Sequence, residues 1–278
     1  MALLVTQHVR RMRGGAQSHL MRASDGNFYI VKFQNNPQHV RILANELIAT
    51  RLAERLGLPV APSEVLEVGE WLIGKTPELH IQAGKQRTPC RPGLQFGSRY
   101  VIDPLQGQVL DYMPESLLSE SQVRNPEMFL GALAFDKWTC NADGRQVIYW
   151  RENRERKYHA TMIDQGHCFH AGEWAFPDSP LRGTFTFNCV YQNVRGWESF
   201  DPWLTRIEQL DENVLWKVVE SVPPEWYDGD TGALEDVLTK LLRRRGKVRE
   251  LIAEFGASSR QPFPSWSMKA TAGAKTRG

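Results

Sequence analysis

The sequence lacks the features that mark several large protein classes. Its 278 residues contain no apolar run of the roughly 18 residues that a membrane-spanning helix needs. The four cysteines form no Cys-x-x-Cys pair, so they favour reduced thiols over a disulfide framework. The 34 basic and 32 acidic side chains nearly cancel, whereas a dedicated nucleic-acid binder needs a strongly basic face. We therefore expect a cytoplasmic protein that contacts neither a membrane nor nucleic acid directly.

Neither end of the chain predicts a targeting element or a packed one. The stretch from Met1 to Val5 is apolar for only a few residues, and Arg10, Arg11 and Arg13 follow, which is unlike a secretory signal. Residues 256–278 are rich in Ser, Ala, Gly, Thr and Lys and predict a disordered tail. The overall composition, 41% hydrophobic and 24% charged, is typical of a globular protein with one large domain or two tightly packed lobes.

The amino-terminal part of the chain changes from strand patterns to a helix pattern and back. Strands are predicted at 2–9, 19–23 and 28–33, with the turn Asp25-Gly26 between the last two. Pro37 then opens a helix with one broad apolar face, which Gly57 and Pro59 end. The mixed section that follows is rich in Pro and Gly, and further strands are predicted in it at 64–68, 70–73, 95–101 and 108–112.

The second half of the sequence reads as a buried helix, a hairpin and a helical end. The segment from Met128 to Trp138 is apolar on almost every side, and such a helix is buried. A polar loop and two strands, 147–150 and 158–163, come next, and the second strand ends at Asp164. The remaining periodicity predicts helices at 199–210, 212–222 and 233–255.

Four features stand in a fixed order and together meet the needs of phosphoryl transfer. A glycine turn joins two strands, Lys32 ends the next strand, and Glu46 follows fourteen residues later in the first helix. Asp143 and Asp164 lie in loops on either side of the later hairpin. A triphosphate needs backbone donors and a cation, a metal ion needs carboxylates, and the incoming hydroxyl needs a base. The order therefore indicates a nucleotide-dependent phosphotransferase.

These residues resemble the motifs of HipA-like kinases, a bacterial branch of the protein-kinase-like fold that also resembles phosphatidylinositol 4-kinases. Gly15-Ala16-Gln17 resembles the Gly-x-Gln turn of the family's phosphate loop, and Tyr29 to Phe33 resembles its lysine strand. Asn45-Glu46 resembles the start of the helix that pairs with this lysine. The segment from Phe135 to Asp143 resembles the catalytic segment, and Met162 to Gly166 resembles the metal-binding segment. The ordered match spans residues 13–170.

The resemblance implies an α+β, two-lobed protein-kinase-like fold that binds ATP and Mg²⁺ in its cleft. A small β-rich N-lobe is then expected over 1–100 and a mainly helical C-lobe over 101–255. Asp143 would orient or deprotonate a Ser/Thr hydroxyl of a protein substrate, Glu46 would hold Lys32, and Asp164 would bind Mg²⁺ together with Gln146. The residues expected to bind the nucleotide are Gly14, Gly15, Ala16, Gln17, Ser18, Lys32 and, in a hinge placed by position alone at 96–100, Arg99.

Departures from the family pattern leave other functions open. The position that usually holds a second metal-binding Asn is Ile148, and His19 stands where the phosphate loop usually has a lysine. A nucleotide-binding pseudokinase or partner-binding module is therefore an alternative, and so is a kinase that acts on a small molecule or a lipid. Taken singly, Lys32 is also compatible with a solvated edge charge and Asp143 with a turn residue. HipA-like proteins can pair with a DNA-binding antitoxin, so the resemblance also implies a partner of that type.

Overall fold

The amino-terminal part of the chain is a closed five-stranded β-barrel. The computed structural model describes residues 2–103, 106–118 and 122–266. Its strands are β1 (Leu3–Arg11), β2 (His19–Ala23), β3 (Phe28–Lys32), β4 (Ser63–Val68) and β7 (Gly93–Arg99). They are hydrogen-bonded in the order β1-β2-β3-β7-β4, and every pair is antiparallel except β4 with β1. All five were predicted, with bounds that differ by a few residues. Closure leaves the glycine turn between β1 and β2 at one rim of the barrel.

Helix α1 (Arg41–Arg55) connects the barrel to the rest of the molecule. It begins four residues after Pro37 and ends where predicted, because Gly57 adopts a φ of +72° that side chains rarely take. Most of its residues are buried, including the polar Asn45 and Glu46. A helix with so little exposed surface must pack on two sides, and most of the apolar residues of α1 belong to the larger core, which continues into the helical lobe.

The connection between β4 and β7 differs from the prediction. Residues 70–73 were predicted as a strand, but the structure has helix α2 (Glu70–Lys75) there, with no buried residue. Leu72 and Ile73 touch the barrel core while Trp71 is 73% exposed, so these apolar residues belong to a short surface helix. A hairpin of β5 (His80–Ala83) and β6 (Gln86–Pro89) follows. It was not predicted, because β6 is exposed at every position and carries no apolar alternation.

The carboxy-terminal part combines a small sheet with a helical bundle. The strands of the sheet are β8 (Gly107–Leu110), β9 (Gln146–Glu152) and β10 (His159–Ile163). They are hydrogen-bonded in the order β10-β9-β8, and the predicted hairpin forms the β9–β10 pair. The helices are α3 (Met128–Thr139), α4 (Trp203–Glu208), α5 (Glu212–Val219), α6 (Thr231–Arg244) and α7 (Val248–Gly256). The α+β architecture predicted from the sequence is confirmed.

Two of the predicted carboxy-terminal helices are shorter than the periodicity indicated. The segment 199–210 contains a 3-10 turn and then α4, with Pro202 directly before the helix. The segment 233–255 is not one helix, since a 3-10 turn at Arg245–Lys247 separates α6 from α7. Both helices keep an apolar face on the core, so the periodic pattern continues across the break.

The segment after α7 continues to pack against the helical lobe. Disorder was predicted from residue 256 onward, yet Phe263 is 5% exposed and Trp266 lies 4.7 Å from Trp197, measured between ring centroids. Aromatic burial of this kind offsets the polar composition of the surrounding residues. Residues 267–278, also part of the predicted tail, lie outside the described residues. Within the described chain, no helix is both long enough and apolar enough to cross a bilayer.

Gly131 on α3 is closely packed against residues from two other segments. A Cβ atom placed there would lie 2.5 Å from the ring of Trp203 and 2.6 Å from Leu58, which lies just after α1. We expect Gly131→Ala to lower the free energy of unfolding by about 1–3 kcal/mol through overpacking. Gly74→Ala in α2 is the control, because no atom lies within 4 Å of that Cβ position. Urea unfolding should find Gly74→Ala neutral or stabilising; an equal effect of both changes would contradict close packing at Gly131.

Candidate active site

A cavity of about 950 Å³ lies between the barrel and the helical lobe. Its walls come from the glycine turn, β3, β7, α1 and the loops that precede β9 and follow β10. The structure thereby brings together residues separated by more than 100 positions in the sequence. The predicted site residues that line it are Gly14, Gly15, Ala16, Ser18, Lys32, Glu46, Arg99, Asp143, Gln146 and Asp164. Gln17 does not line it.

Lys32 lies at the centre of the charged wall of this cavity. Its ammonium group forms an ion pair with Glu46 and a second one, 2.9 Å long, with Oδ1 of Asp164. Lys32 is 7% exposed and Glu46 is 3% exposed, so the pair is largely removed from water. Burial alone would lower the pKa of Lys32, but the two carboxylates outweigh it and raise that pKa above its ordinary value. The lysine is therefore a fixed positive charge.

Asp164 is the second carboxylate of this arrangement and the more accessible one. It follows directly after β10 and has a φ of +56°, in the left-handed region. Burial tends to raise the pKa of Asp164, yet the Lys32 ammonium lowers it below its ordinary value. The carboxylate is consequently ionised at neutral pH. Its side chain is 23% exposed and lines the cavity.

Helix α1 is fastened to the loop that carries Asp164. The second carboxylate oxygen of Glu46 accepts a hydrogen bond from the backbone N–H of Gln165 at 2.9 Å. The side-chain amide of Asn45 donates to the carbonyls of Gly166, Cys168 and Ala171 at 2.8–3.0 Å. These bonds satisfy a polar side chain that is fully buried in α1. They fix where Glu46 stands relative to Asp164.

Asp143 lies in the exposed loop after α3. The helix ends at Cys140, whose φ of +52° turns the chain out of the helical path. The side-chain oxygen of Asn141 accepts from the N–H of Asp143 at 3.1 Å, and Oδ1 of Asp143 accepts from the N–H of Gly144 at 2.8 Å. Gln146 approaches the other carboxylate oxygen at 3.5 Å. The carboxylate is thus oriented by its own loop and open to the cavity.

Arg145 joins the two aspartate loops. Its guanidinium pairs with Asp136, and both side chains are almost completely buried. It also donates to the carbonyl of Ile163 at 2.9 Å and to the side chain of Gln165 at 2.8 Å. The Asp136 carboxylate is therefore structural, and it braces the loop through Arg145. The role of Arg145 was missed, because a buried partner for it is visible only once the helix and both loops are placed.

The backbone of the glycine turn at the barrel rim is exposed at Gly14 and Gly15. Gly14 has a φ of +121°, which side chains rarely adopt, and no atom lies within 4 Å of its Cβ position. The N–H of Met12 donates to the carbonyl of Ser18 at 2.8 Å and closes the base of the turn. Ala16 and Ser18 are buried and face the cavity, whereas Gly14 and Gly15 are exposed.

Two side chains near this turn lie away from the cavity. The Gln17 amide bonds to the backbone of Gln82 in the β5–β6 hairpin. His19 is buried in the barrel beside His8, with 3.1 Å between their ring nitrogens, and does not occupy the position of a phosphate-binding lysine. Burial, helped by His8 and the Arg11 guanidinium, lowers the pKa of His19 to about 4. His19 is thus neutral at physiological pH.

The predicted hinge is the part of β7 that faces the cavity. Phe96, Ser98, Arg99 and Tyr100 line the cavity. The guanidinium of Arg99 donates to the side chain of Asn27 at 2.9 Å, so it is directed at the turn between β2 and β3. Contact of this segment with adenine, and of Arg99 with a nucleotide, stays a prediction.

The barrel, the lysine–glutamate pair, the two aspartate loops and the helical lobe define the protein-kinase-like fold with its interlobe site. Residues 5–249 match the model of the HipA-like kinase family. The chain therefore belongs to the HipA-like kinase family, in agreement with the resemblance found in the sequence.

Solved structures share the fold at low sequence identity. The structure of hydra Fam20 with sugar matches with a TM-score of 0.56 and 12% identity over 96% of this chain and 90% of that one. The Golgi casein kinase with Mn/ADP bound matches with a TM-score of 0.53 and 13% identity over 91% and 72%. HipA from Shewanella oneidensis, in complex with HipB and operator DNA, matches with 0.51 and 14% over 90% and 68%. No curated protein matches the sequence.

Because Arg145 and Asp136 form a buried ion pair, substitutions of the two residues should have non-additive effects on the unfolding free energy. Arg145→Met would leave the Asp136 carboxylate buried without its cation, and we expect a loss of about 3–5 kcal/mol in unfolding free energy. Asp136→Leu combined with Arg145→Met should recover most of that loss, since no buried charge remains. Urea unfolding of the single and double variants measures this; additive losses would contradict the pairing.

Proposed function

We propose that the protein is an ATP- and Mg²⁺-dependent phosphotransferase that phosphorylates a Ser or Thr hydroxyl of a protein. The observation that carries the proposal is the position of Lys32. It is held by Glu46 and Asp164 on the wall of a cavity that also contains Asp143. A fixed cation, an ionised carboxylate and an exposed carboxylate around one cavity are the groups that phosphoryl transfer requires.

The nucleotide phosphates would bind between the glycine turn and Lys32. The turn carries the backbone N–H groups of 14–18, of which that of Gln17 is bonded within the turn. Gly14 and Gly15 have no side chains of their own to hinder a close approach. Lys32 supplies a positive charge that Glu46 and Asp164 already hold in place. Arg10 and Arg13 also line the cavity and add positive charge at the same rim. Backbone donors with preplaced cations stabilise phosphate charge at low reorganisation cost.

The residues present fit a Mg²⁺ ion that arrives with the nucleotide. The cavity offers hard oxygen donors from Asp164 and Gln146. In the part of the chain that the structure describes, no group of three or more His, Cys, Asp or Glu side chains forms a metal cage. Mg²⁺ in kinases is held by one or two carboxylates plus phosphate oxygens, so a dedicated cage is not required. When bound, the ion would neutralise charge on the phosphates.

Asp143 would act on the acceptor hydroxyl. Its carboxylate is exposed and is oriented by the N–H of Gly144 and by Gln146. A carboxylate in this position orients the hydroxyl and accepts its proton as the new bond to phosphorus forms. Arg145 keeps the loop of Asp143 at a fixed distance from the loop of Asp164, and so acts as a positioning residue.

The comparisons support parts of this proposal. The family is one of kinases, and the Golgi casein kinase was solved with Mn/ADP, which favours a nucleotide and a divalent metal. That kinase also favours a protein acceptor, while hydra Fam20 was solved with a sugar and keeps a small-molecule acceptor as the second candidate. The Shewanella HipA was solved with HipB and operator DNA. We propose an antitoxin-type partner on that basis, with any contact to DNA made by the partner.

One observation favours a pseudokinase instead. Ile148, at the position of the usual second metal-binding Asn, is paired with Thr161 in the β9–β10 hairpin. The carboxamide of Gln146 is the nearest replacement in sequence, and it approaches Asp143. Without that Asn, the site lacks the side chain that helps to hold the second Mg²⁺ in protein kinases. Turnover by the wild-type protein decides between the two functions.

The first variant tests the metal-binding role of Asp164. Asp164→Asn keeps the size of the side chain but removes its charge, so Mg²⁺ should no longer strengthen ATP binding, and affinity should fall about tenfold or more. Calorimetry with Mg²⁺ and with EDTA measures this. Asp236→Asn, an exposed position on α6, is the control. Equal Mg²⁺-dependent affinity in Asp164→Asn and wild type would exclude the assignment.

The second variant separates catalysis from binding. Asp143→Ala should keep ATP affinity within about twofold and lower the rate of phosphoryl transfer by about 10²–10⁴, because the base is lost while the phosphate site stays intact. Radiolabelled ATP with purified protein and cell lysate, followed by mass spectrometry of labelled proteins, measures the transfer. Wild-type protein that binds ATP without transfer or hydrolysis would establish the pseudokinase.

A further inference from the structure

The β5–β6 hairpin lies outside the barrel and is bonded to the glycine turn through one side chain. The Gln17 side-chain N–H₂ donates to the carbonyl of Gln82 at 2.8 Å. The side-chain carbonyl of Gln17 accepts from the N–H of Gln82 at 2.8 Å and from the Arg11 guanidinium. The amide thereby bonds both backbone polar groups of one residue of β5, as a neighbouring strand would.

The backbone at Gln17 couples this outer contact to the cavity. Gln17 has a φ of +49° and its N–H donates to the carbonyl of Gly14 at 3.2 Å, so it forms the tight part of the turn. Its neighbours Ala16 and Ser18 line the cavity while its own side chain faces the hairpin. Rotation of the peptide groups on either side of Gln17 would therefore break the bonds to Gln82.

The hairpin is a firm support for such a contact. Its two ends meet where the N–H of Cys90 donates to the carbonyl of Leu79 at 3.0 Å. Leu79, Ile81 and Cys90 are buried in the barrel core. Asn35, just after β3, donates to the carbonyl of Pro89 at 2.9 Å. The hairpin is thus fixed to the same barrel that carries Lys32. Through its bonds to Gln17, it holds the glycine turn at a defined position relative to Lys32.

We infer that Gln17 is a positioning residue, which holds the phosphate-binding turn in its nucleotide-ready conformation by bonding it to the β5–β6 hairpin. The inference rests on the proposed function, because it assigns the turn to the phosphates. It also changes the role that the family resemblance gave to Gln17. The side chain acts from the side opposite the nucleotide, and the hairpin becomes part of the nucleotide-binding apparatus.

The conformational part of the inference is tested without nucleotide. Arg13 is exposed at the start of the turn, so trypsin cleavage after Arg13 reports how often the turn opens. Removing both hydrogen bonds to Gln82, together with the one from Arg11, should increase cleavage about tenfold or more in Gln17→Ala. Gln86→Ala, exposed on β6, is the matched control and should cleave like wild type. Equal cleavage in both variants, with the product identified by mass, would overturn the inference.

A second variant tests the hairpin itself. Because Leu79 and Cys90 are already hydrogen-bonded, residues 80–89 can be replaced by two glycines. The shortened protein should cleave after Arg13 as fast as Gln17→Ala, and adding Gln17→Ala to it should change nothing further. Near-ultraviolet circular dichroism checks that each variant is folded. A further increase in the combined variant would mean that Gln17 acts through some other contact, against the inference.

The role of Gln17 in nucleotide binding is tested by measuring the affinity for ATP and the turnover rate. In Gln17→Ala the KM for ATP, or the Kd if there is no turnover, should rise about tenfold while kcat stays within about twofold, because the reacting groups at Lys32 and Asp143 are untouched. Gln17→Asn keeps the amide but is one methylene shorter, and should behave like Gln17→Ala. Faster cleavage with unchanged ATP affinity would overturn the role in nucleotide binding. Wild-type protein that binds no ATP would instead refute the proposed function.

Discussion

The buried ammonium group of Lys32 is the contact on which the rest of the site depends. An unpaired charge in that position would be strongly unfavourable, so Glu46 from α1 and Asp164 from the loop after β10 must both reach it. The barrel, α1 and the loop after β10 are thereby joined at the Lys32 side chain. The surrounding bonds, from Asn45 to three carbonyls and from Gln165 to Glu46, stabilise the same arrangement. Their combined effect is a preorganised cluster of charges at the cavity wall.

Much of the fold was predictable because it follows from local patterns. Strand β2 lies where alternation and the Asp25-Gly26 turn put it, and α1 ends at Gly57 as its positive φ requires. Errors arose where tertiary contacts decide. Helix α2 was predicted as a strand because Leu72 and Ile73 are apolar neighbours, which fits either structure in so short a segment. The break at Arg245–Lys247 has only Gly246 as a sequence signal, and the apolar periodicity that continues through it predicted one helix.

The site was predictable to the extent that its residues sit in ordered motifs. Lys32 and Glu46 form the predicted ion pair, since strand and helix are adjacent in sequence and space. Gln17 shows the limit of a motif: it identifies the residue but not the direction of its side chain, which a hairpin more than sixty positions away determines. Arg145 was likewise understood only through Asp136, Ile163 and Gln165, which three separate elements bring to it.

The ion pair between Lys32 and Asp164 spans 132 positions of the chain, and the bond from Gln165 to Glu46 spans 119. Closing loops of that length costs conformational entropy that the contacts must offset. The charged cluster therefore needs the barrel and the carboxy-terminal part together, because each supplies part of it. A fragment with only the barrel and α1 would keep the residues of the Lys32–Glu46 pair but would lack Asp143 and Asp164.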